Sequence, residues 1–139
     1  MRKLFLDTNI LLDLLAKRMD FYDEAARLFL LAEEGELALT VSALTIVNTH
    51  YVLRKHIPEQ KTRGVIRDIR LLVKVLPLDE RLLGITLNSD LDDYEDAIQY
   101  HTALEYQQEF IITRNLKDFK RSKLPVMTAG QLIHSRQSI

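Results

Sequence analysis

The chain alternates short apolar runs with longer segments in which apolar residues recur every three or four positions. The runs have the length of buried strands and cover residues 3–6, 37–41, 73–77, 109–113 and, more weakly, 124–127. The periodic segments predict helices at 9–17, 21–34, 43–55, 59–72, 80–88, 94–107 and from about 129. We therefore expect an α/β fold, a three-layer sandwich with a central, mainly parallel sheet of four to five strands.

Polar side chains at three predicted helix starts support these boundaries. Asp20 precedes the second helix and Ser42 precedes the third, and both are residue types that accept hydrogen bonds from the first helical N–H groups. Thr128 is followed three residues later by Gln131, which is the spacing of a capping box.

The third predicted helix carries an amide among apolar residues. Its inward stripe is expected to consist of Leu44, Val47 and Tyr51, with Asn48 on the same side. A buried amide needs hydrogen-bond partners, so Asn48 is either a satisfied core group or a residue that lines a site.

Composition restricts the class of protein. The 139 residues are 47% hydrophobic and 28% charged, with four Gly, three Pro and no Cys. This is typical of an ordered globular chain, and we expect a single domain over residues 1–139. Without Cys there are no disulfides, thiolate zinc sites or cysteine nucleophiles, which fits a cytoplasmic protein. No apolar run approaches the roughly 20 residues of a membrane span, so we expect no contact with a membrane.

Charge is unevenly distributed along the chain. The formal net charge of −1 argues against binding of nucleic acid by bulk electrostatics. Locally, however, the charged residues in 54–74 are mostly basic, and the charged residues in 79–96 are mostly acidic. Arg63, Arg67 and Arg70 share one helical face, which is compatible with either a solvated surface or contacts to phosphates.

Acidic and polar residues follow two of the predicted strands. Asp7 comes directly after the first strand, and Thr113, Asn115 and Asp118 end or follow the fourth. Ligands of parallel sheets bind outside the carboxyl ends of the strands, so we expect these residues at one edge of the sheet.

The sixth predicted helix contributes two more carboxylates. Asp93 and Asp96 are three positions apart near its start, where they share a face and where the helix dipole favours negative charge. An Asp at a helix start is often only a cap, which is a sufficient explanation of Asp7 or Asp93 taken singly. If these carboxylates and Asp118 do meet, their repulsion should raise at least one pKa in the absence of a cation.

Four segments, taken together and in order, resemble the PIN-domain family, particularly the small stand-alone VapC-type ribonucleases of bacterial toxin–antitoxin pairs. They are FLDTNILLDLL (5–15), SALTIVNTHYVL (42–53), DYEDAIQYHTA (93–103) and IITRNLKDF (111–119). The resemblance implies that the catalytic, metal-binding residues are Asp7, Asp96 and Asp118. The supporting residues that it implies are Asn48, Asp93, Thr113 and Asn115.

The same resemblance implies hydrolysis of an RNA phosphodiester to a 5′-phosphate and a 3′-hydroxyl, with Mg²⁺ or Mn²⁺ as cofactor. It further implies an RNA substrate, a cognate antitoxin and a homodimer. If the substrate is RNA, the shared helical face makes Arg63, Arg67 and Arg70 candidate RNA contacts. One position departs from the pattern, because Asn48 stands where most of the family has an acidic residue, usually Glu. The alternative is therefore a weakened-site domain that binds RNA or a protein partner without cleaving.

Two other enzyme classes fit the residues less well. A haloacid-dehalogenase-type phosphatase also begins with an Asp after a strand, but it needs a second Asp two positions later, where this chain has Asn9. A phosphoacceptor receiver domain needs its Asp after a middle strand, and the sequence has no such pattern.

Overall fold

A computed structural model describes residues 2–137, in which strands and helices alternate. The strands are β1 (Arg2–Leu6), β2 (Leu37–Ser42), β3 (Val73–Leu76), β4 (Phe110–Ile112) and β5 (Val126–Met127). The helices are α1 (Thr8–Leu15), α2 (Tyr22–Glu33), α3 (Ala43–Leu53), α4 (Glu59–Ile69), α5 (Glu80–Leu87), α6 (Tyr94–Glu105) and α7 (Ala129–Gln137). A 3₁₀ helix at Leu116–Phe119, which the periodicity did not predict, follows β4. None of the described helices is both long and apolar enough to span a membrane.

All five strands pair in parallel, in the order β3-β2-β1-β4-β5. Leu4 of β1 is in register with Leu39 of β2 on one side and with Phe110 of β4 on the other. The sheet is therefore fully parallel, and β1 lies at its centre. The carboxyl ends of β1 and β4 lie side by side, as the sequence predicts for residues that follow these strands.

The two faces of the sheet are covered by different helices. Leu4 and Leu6 of β1 belong to a large buried cluster that includes Leu28 of α2 and Leu132 of α7. Phe5 points the other way, into a smaller cluster with residues of α6 and the 3₁₀ helix. Alternating strand residues thus contact opposite helical layers, and the predicted three-layer sandwich is confirmed.

Two of the three predicted helix caps are present. Ser42 Oγ accepts a hydrogen bond from Thr45 N at 3.1 Å. Thr128 Oγ1 accepts one from Gln131 N at 3.0 Å, while Gln131 Oε1 accepts one from Thr128 N at 2.9 Å, which closes the capping box.

The prediction that Asp20 caps α2 is wrong. The cap residue is Phe21, which makes no side-chain capping bond. A backbone turn precedes the helix instead, with Phe21 N and Tyr22 N both donating to Arg18 O, at 3.0 and 2.9 Å. The start of the helix is therefore joined to the preceding turn by backbone bonds, without a side-chain acceptor.

The predicted inward stripe of α3 is also wrong. Val47 and Tyr51 are 64% and 59% exposed, whereas Thr45 and Thr49 are fully buried. Apolar residues occur on most faces of this helix, so periodicity alone could not select its buried face. The small threonines face inward, and Thr45 is part of a polar network described below.

Candidate active site

The carboxyl ends of β1 and β4 open into a cavity of about 380 Å³, between α1, α3, α6 and the loop after β4. We refer to it as the acidic cavity. Its lining residues are Asp7, Thr8, Asn9, Leu12, Asn48, Tyr51, Val52, Glu95, Asp96, Gln99, Asn115 and Asp118.

Asp7 is held at the bottom of this cavity by hydrogen bonds to both carboxylate oxygens. Oδ1 accepts from Thr8 N at 2.9 Å, and Oδ2 accepts from Thr113 Oγ1 at 2.8 Å and from Asn9 Nδ2 at 3.4 Å. Asp7 is only 8% exposed, and burial raises its pKa although these bonds act in the opposite direction. A carboxylate accepts about four hydrogen bonds, so Asp7 is oriented and retains capacity for a ligand.

The pKa of Asp96 is strongly raised in the cavity. This residue lies in the first turn of α6 and is half-buried. Burial raises the pKa of this carboxyl to about 7, and the charges of Asp93, Asp118, Asp7 and Glu95 contribute in that order. Carboxylates from three separate segments therefore act on one another, as the sequence analysis expected if they met.

Asp118 is brought to the cavity by the unpredicted 3₁₀ helix. Its backbone N donates to Asn115 O at 3.0 Å, and Asn115 N donates to Thr113 Oγ1 at 3.1 Å. Asn115 and Asp118 are exposed, whereas Thr113 is buried. Thr113 thus links the segment that carries Asp118 to Asp7.

Asp93 is a helix cap and also a neighbour of the site. Its side chain accepts a hydrogen bond from Asp96 N at 2.9 Å, and its charge contributes to the raised pKa of Asp96. It lines a second cavity, of about 190 Å³, which shares Asp96 and Asp118 with the acidic cavity. Asp93 therefore both caps α6 and adds negative charge next to Asp96.

Three cations lie on the rim of this second cavity: Lys117, Lys120 and Arg121. All three are exposed, and the ion pairs found among residues 2–137 include none of them. Arg121 makes one long hydrogen bond, from Nη1 to the backbone oxygen of Asp90 at 3.5 Å. We call these three residues the cationic rim.

Asn48 is half-buried on the wall of the acidic cavity, next to Tyr51 on α3. Among the described residues its side chain has no hydrogen-bond partner. Of the two explanations that the sequence left open, the position of Asn48 favours a residue that faces the cavity over a satisfied core amide.

Sequence reasoning did not identify several lining residues as part of a site, and two of them, Glu95 and Gln99, are polar residues of α6. Glu95 neighbours Asp96 in the chain, and its charge raises the pKa of both Asp7 and Asp96. Successive helical residues point about 100° apart, so spacing gave no reason to group it with Asp96. Gln99 lies three residues after Asp96 on the same helical face, a spacing that could have identified it.

Gln99 is the centre of a buried polar network below the cavity. Its Oε1 accepts from Ser42 Oγ at 2.6 Å, and its Nε2 donates to Thr45 Oγ1 at 2.7 Å and to Thr8 Oγ1 at 3.1 Å. The network joins the starts of α1 and α3 to α6, and so fixes the relative positions of the helices that carry the carboxylates.

The basic residues of α4 are not brought to the acidic cavity. Arg63, Arg67 and Arg70 line a separate groove of about 390 Å³ between α3 and α4, with an apolar floor that includes Ile46 and Ile66. We call it the α3–α4 groove. The predicted RNA contacts of these arginines stay a prediction.

The donor set of the acidic cavity fits a hard divalent cation. Among residues 2–137, no three His, Asp or Glu side chains converge closely enough to enclose a metal ion. Mg²⁺ does not require this, because it is commonly held by one or two carboxylates and otherwise by water and substrate phosphate. A bound cation would occupy the remaining acceptor capacity of Asp7. It would also stabilise the ionised form of Asp96, whose pKa is raised.

Comparisons with known proteins agree with this fold. A family model described as a PIN domain matches residues 3–117, which include the first three quoted sequence segments and most of the fourth. No significant match was found among curated proteins. A toxin-antitoxin complex from Klebsiella pneumoniae is similar in structure, with 28% sequence identity, a TM-score of 0.65 and coverage of 90% of this chain and 96% of that chain.

Two further structures share the fold at lower identity. VapBC-1 from nontypeable Haemophilus influenzae has 20% identity and a TM-score of 0.67, over 91% of this chain and 98% of that chain. VapC20 from Mycobacterium tuberculosis, described as a Sarcin-Ricin loop cleaving toxin, has 16% identity and a TM-score of 0.61, over 78% of this chain and 86% of that chain.

Proposed function

The chain belongs to the PIN-domain family, and from that premise we propose that it is a Mg²⁺- or Mn²⁺-dependent endoribonuclease, the toxin of a type II toxin–antitoxin pair. The observation that carries the proposal is the group of carboxylates around Asp96, whose pKa is raised to about 7 by burial and by neighbouring charges. Carboxylates held together against their own repulsion are typical of a site that receives cations.

Asp7, Asp96 and Asp118 are the residues that would hold the metal. When bound, Mg²⁺ or Mn²⁺ supplies positive charge that activates water and stabilises the charge developing on the phosphate. The hydrogen bonds to Asp7 from Thr8 N and Thr113 Oγ1 fix its orientation before any ligand arrives, which lowers the cost of ordering the site.

The proposed reaction adds water across one RNA phosphodiester. The P–O3′ bond breaks, the phosphate stays on the 5′ end of the downstream product, and the 3′ oxygen leaves with a proton. We assign Glu95 as the carboxylate that accepts a proton from the attacking water, because it lines the cavity and is not needed to hold the cation. No covalent intermediate is required.

The cationic rim supports a polyanionic substrate. Carboxylates alone would repel RNA, whereas Lys117, Lys120 and Arg121 present unpaired positive charge beside the cavity that shares Asp96 and Asp118. Contacts between such side chains and phosphates supply most of the sequence-independent affinity for nucleic acid.

An antitoxin and a second copy of the chain are the proposed protein partners. The Klebsiella pneumoniae relative is part of a toxin-antitoxin complex. This chain exposes large apolar side chains that a partner could cover, including Val47 (64%), Tyr51 (59%) and Leu71 (84%). Expression with the neighbouring gene product, followed by size-exclusion chromatography with light scattering, tests both partners.

The direct test of the proposed activity is cleavage of RNA by the purified protein in Mn²⁺, in Mg²⁺ and in EDTA. We expect cleavage only with metal, and products that carry 5′-phosphate and 3′-hydroxyl ends. Activity that persists in EDTA, or that ends in 2′,3′-cyclic phosphate, contradicts the proposal.

The position of Asn48 favours a second candidate function. This uncharged residue lines the cavity where most of the family has an acid, so the site has one charge fewer for a hard cation. A weakened-site domain that binds RNA or a protein without cutting would show RNA binding but no cleavage in saturating Mn²⁺.

A further inference from the structure

An ion pair between a buried carboxylate and a half-buried guanidinium lies outside the acidic cavity, between α1 and the segment after β4. Arg114 Nε donates to Asp13 Oδ2 at 2.9 Å, and the Asp13 side chain is only 1% exposed. Asp13 Oδ1 has no hydrogen-bond partner among the described residues, and Arg18 Nη1 lies 3.8 Å from it. Such incompletely satisfied pairs add little net stability, so stabilisation alone does not account for this one.

Arg114 is fixed on more than one side. Its guanidinium carbon lies 4.2 Å from the centre of the Phe21 ring, and its backbone N donates to Asn9 Oδ1 at 3.4 Å. A planar guanidinium that is both hydrogen-bonded and stacked has little rotational freedom. The backbone at residue 114 is therefore anchored to α1 and to the segment before α2.

The neighbours of Arg114 in the chain are residues of the proposed site. Thr113 Oγ1 donates to Asp7 Oδ2 at 2.8 Å and accepts from Asn115 N at 3.1 Å, and Asn115 O accepts from Asp118 N at 3.0 Å. An anchor at Arg114 thus acts on the segment that orients Asp7 and carries Asp118.

We propose that the Asp13–Arg114 ion pair is a positioning clamp, which holds residues 113–118 so that Thr113 and Asp118 face Asp7 in the geometry that binds the divalent cation. This inference rests on the proposed function for the identity of the ligand. Arg114 and Asp13 are positioning residues, since neither lines the acidic cavity.

The decisive variant is Arg114→Lys, with Arg18→Lys as matched control. Both changes keep the positive charge and remove a planar guanidinium next to Asp13, but Arg18 has no bond to the segment after β4. We expect Arg114→Lys to weaken Mn²⁺ binding by about tenfold and to lower kcat to a similar extent, the range typical of outer residues of a metal site. The KM for RNA should change by less than about twofold, and Arg18→Lys should match wild type.

Calorimetric titration with Mn²⁺ and the amide NMR shift of Asp118, which is not adjacent to Arg114 in the chain, provide readouts that do not depend on cleavage. The Asp118 amide shift should change in Arg114→Lys and not in Arg18→Lys. If wild type binds Mn²⁺ but cuts no RNA, the proposed nuclease activity fails while the clamp is still tested by affinity. An unchanged Mn²⁺ affinity in Arg114→Lys would overturn the clamp, as would an unchanged Asp118 amide shift or a wild type that binds no Mn²⁺.

A double variant, Asp13→Leu with Arg114→Met, separates positioning from stability. Replacing a buried ion pair with apolar residues of similar volume often restores stability, because no unpaired charge is left. We expect a melting temperature near that of wild type together with the weakened Mn²⁺ binding of Arg114→Lys. Recovery of full Mn²⁺ affinity would also overturn the clamp.

Discussion

Charged side chains are arranged in two different ways on the two sides of α3. In the acidic cavity, carboxylates from the end of β1, the start of α6 and the 3₁₀ helix line one partly buried pocket. By contrast, Arg63 and Arg67 of α4, and Arg70 directly after its end, are exposed. Arg63 is 3.8 Å from Glu59 one turn away.

The difference lies in what each arrangement needs from its surroundings. Burial and repulsion raise the pKa of Asp7 and Asp96, so the ionised cavity is strained unless a cation enters. The arginines at the α3–α4 groove are exposed, so water solvates their charges without a ligand. Charges gathered from distant segments therefore give a stronger indication of chemistry than charges that share one exposed helix face.

The largest expected effect separates the two regions directly. Asp7→Asn should lower metal-dependent RNA cleavage by at least about a hundredfold, because a ligand of the cation is lost rather than an outer residue. Asp68→Asn, which removes an exposed charge from α4, should have no effect on cleavage. Initial cleavage rates at saturating Mn²⁺ measure this, and equal activity of wild type and Asp7→Asn would contradict the assignment.

The next prediction compares the two sets of cations. Lys120→Glu with Arg121→Glu should weaken RNA binding by about tenfold and lower the salt dependence by about one unit per lost contact. Arg63→Glu with Arg67→Glu should change binding less, since the α3–α4 groove is separate from the cavity. Fluorescence anisotropy in an Asp7→Asn background keeps the RNA intact. A larger loss in the α4 variant would assign RNA binding to that groove.

A severalfold effect is expected at Asn48. Asn48→Glu should tighten Mn²⁺ binding and raise cleavage at limiting metal, because it adds charge to the ligand set of a hard cation. It should also lower the stability of the metal-free protein through added repulsion. Thermal melts with and without Mn²⁺ test this prediction, and Asn48→Gln is the control for side-chain length. Equal destabilisation in both conditions would mean that Asn48 does not serve the site.

The smallest effect is a pH dependence of the metal-free protein. The pKa of Asp96 is raised from 3.8 to about 7, so the folded protein keeps a proton that the unfolded chain loses. The stabilisation is complete below about 3.8 and is lost as pH rises through about 7. In EDTA, Tm should therefore fall by a few degrees between pH 5 and 8. The fall should be smaller than for a fully buried carboxylate, because Asp96 is partly solvated.

Two comparisons check that this pH effect belongs to the cavity. Asp96→Asn should flatten most of the decline in Tm, and Asp68→Asn should leave it unchanged. Asp7, whose pKa is raised in the same direction, should account for a remaining part. A steeper decline in Asp96→Asn would contradict the assigned direction of the shift.

The sequence was sufficient for the architecture and for the edge of the sheet at which several candidate site residues lie. Runs such as 3–6 and 37–41 are almost continuously apolar, apart from Lys3 and Thr40, and a strand buried on both faces typically has such a pattern. The position of Asp7 after β1 and of Thr113 at the end of β4 then followed from the rule that parallel strands present their carboxyl ends at one edge. Helix α6 was likewise predicted with Asp93 at its start, and the cap is present.

Other features depended on contacts between segments. The buried face of α3 was mispredicted, because the network of Gln99 with Thr45 selects it and apolar periodicity does not. Glu95 was missed because its role depends on where α6 sits relative to α1. Asp13 reads in the sequence as an ordinary polar residue of α1, and only the approach of Arg114, which follows β4, gives it a partner.

The sequence by itself thus determined the order of strands and helices, the parallel sheet and the edge at which Asp7, Thr113 and Asp118 lie. These features follow from the periodicity within each segment and from the rule that parallel strands present their carboxyl ends at one edge. The tertiary structure alone decided which helix faces are buried, how strongly the carboxylates perturb one another, and which cations stand beside them. These properties depend on distances and desolvation between segments that are far apart in the chain, and no local pattern encodes them.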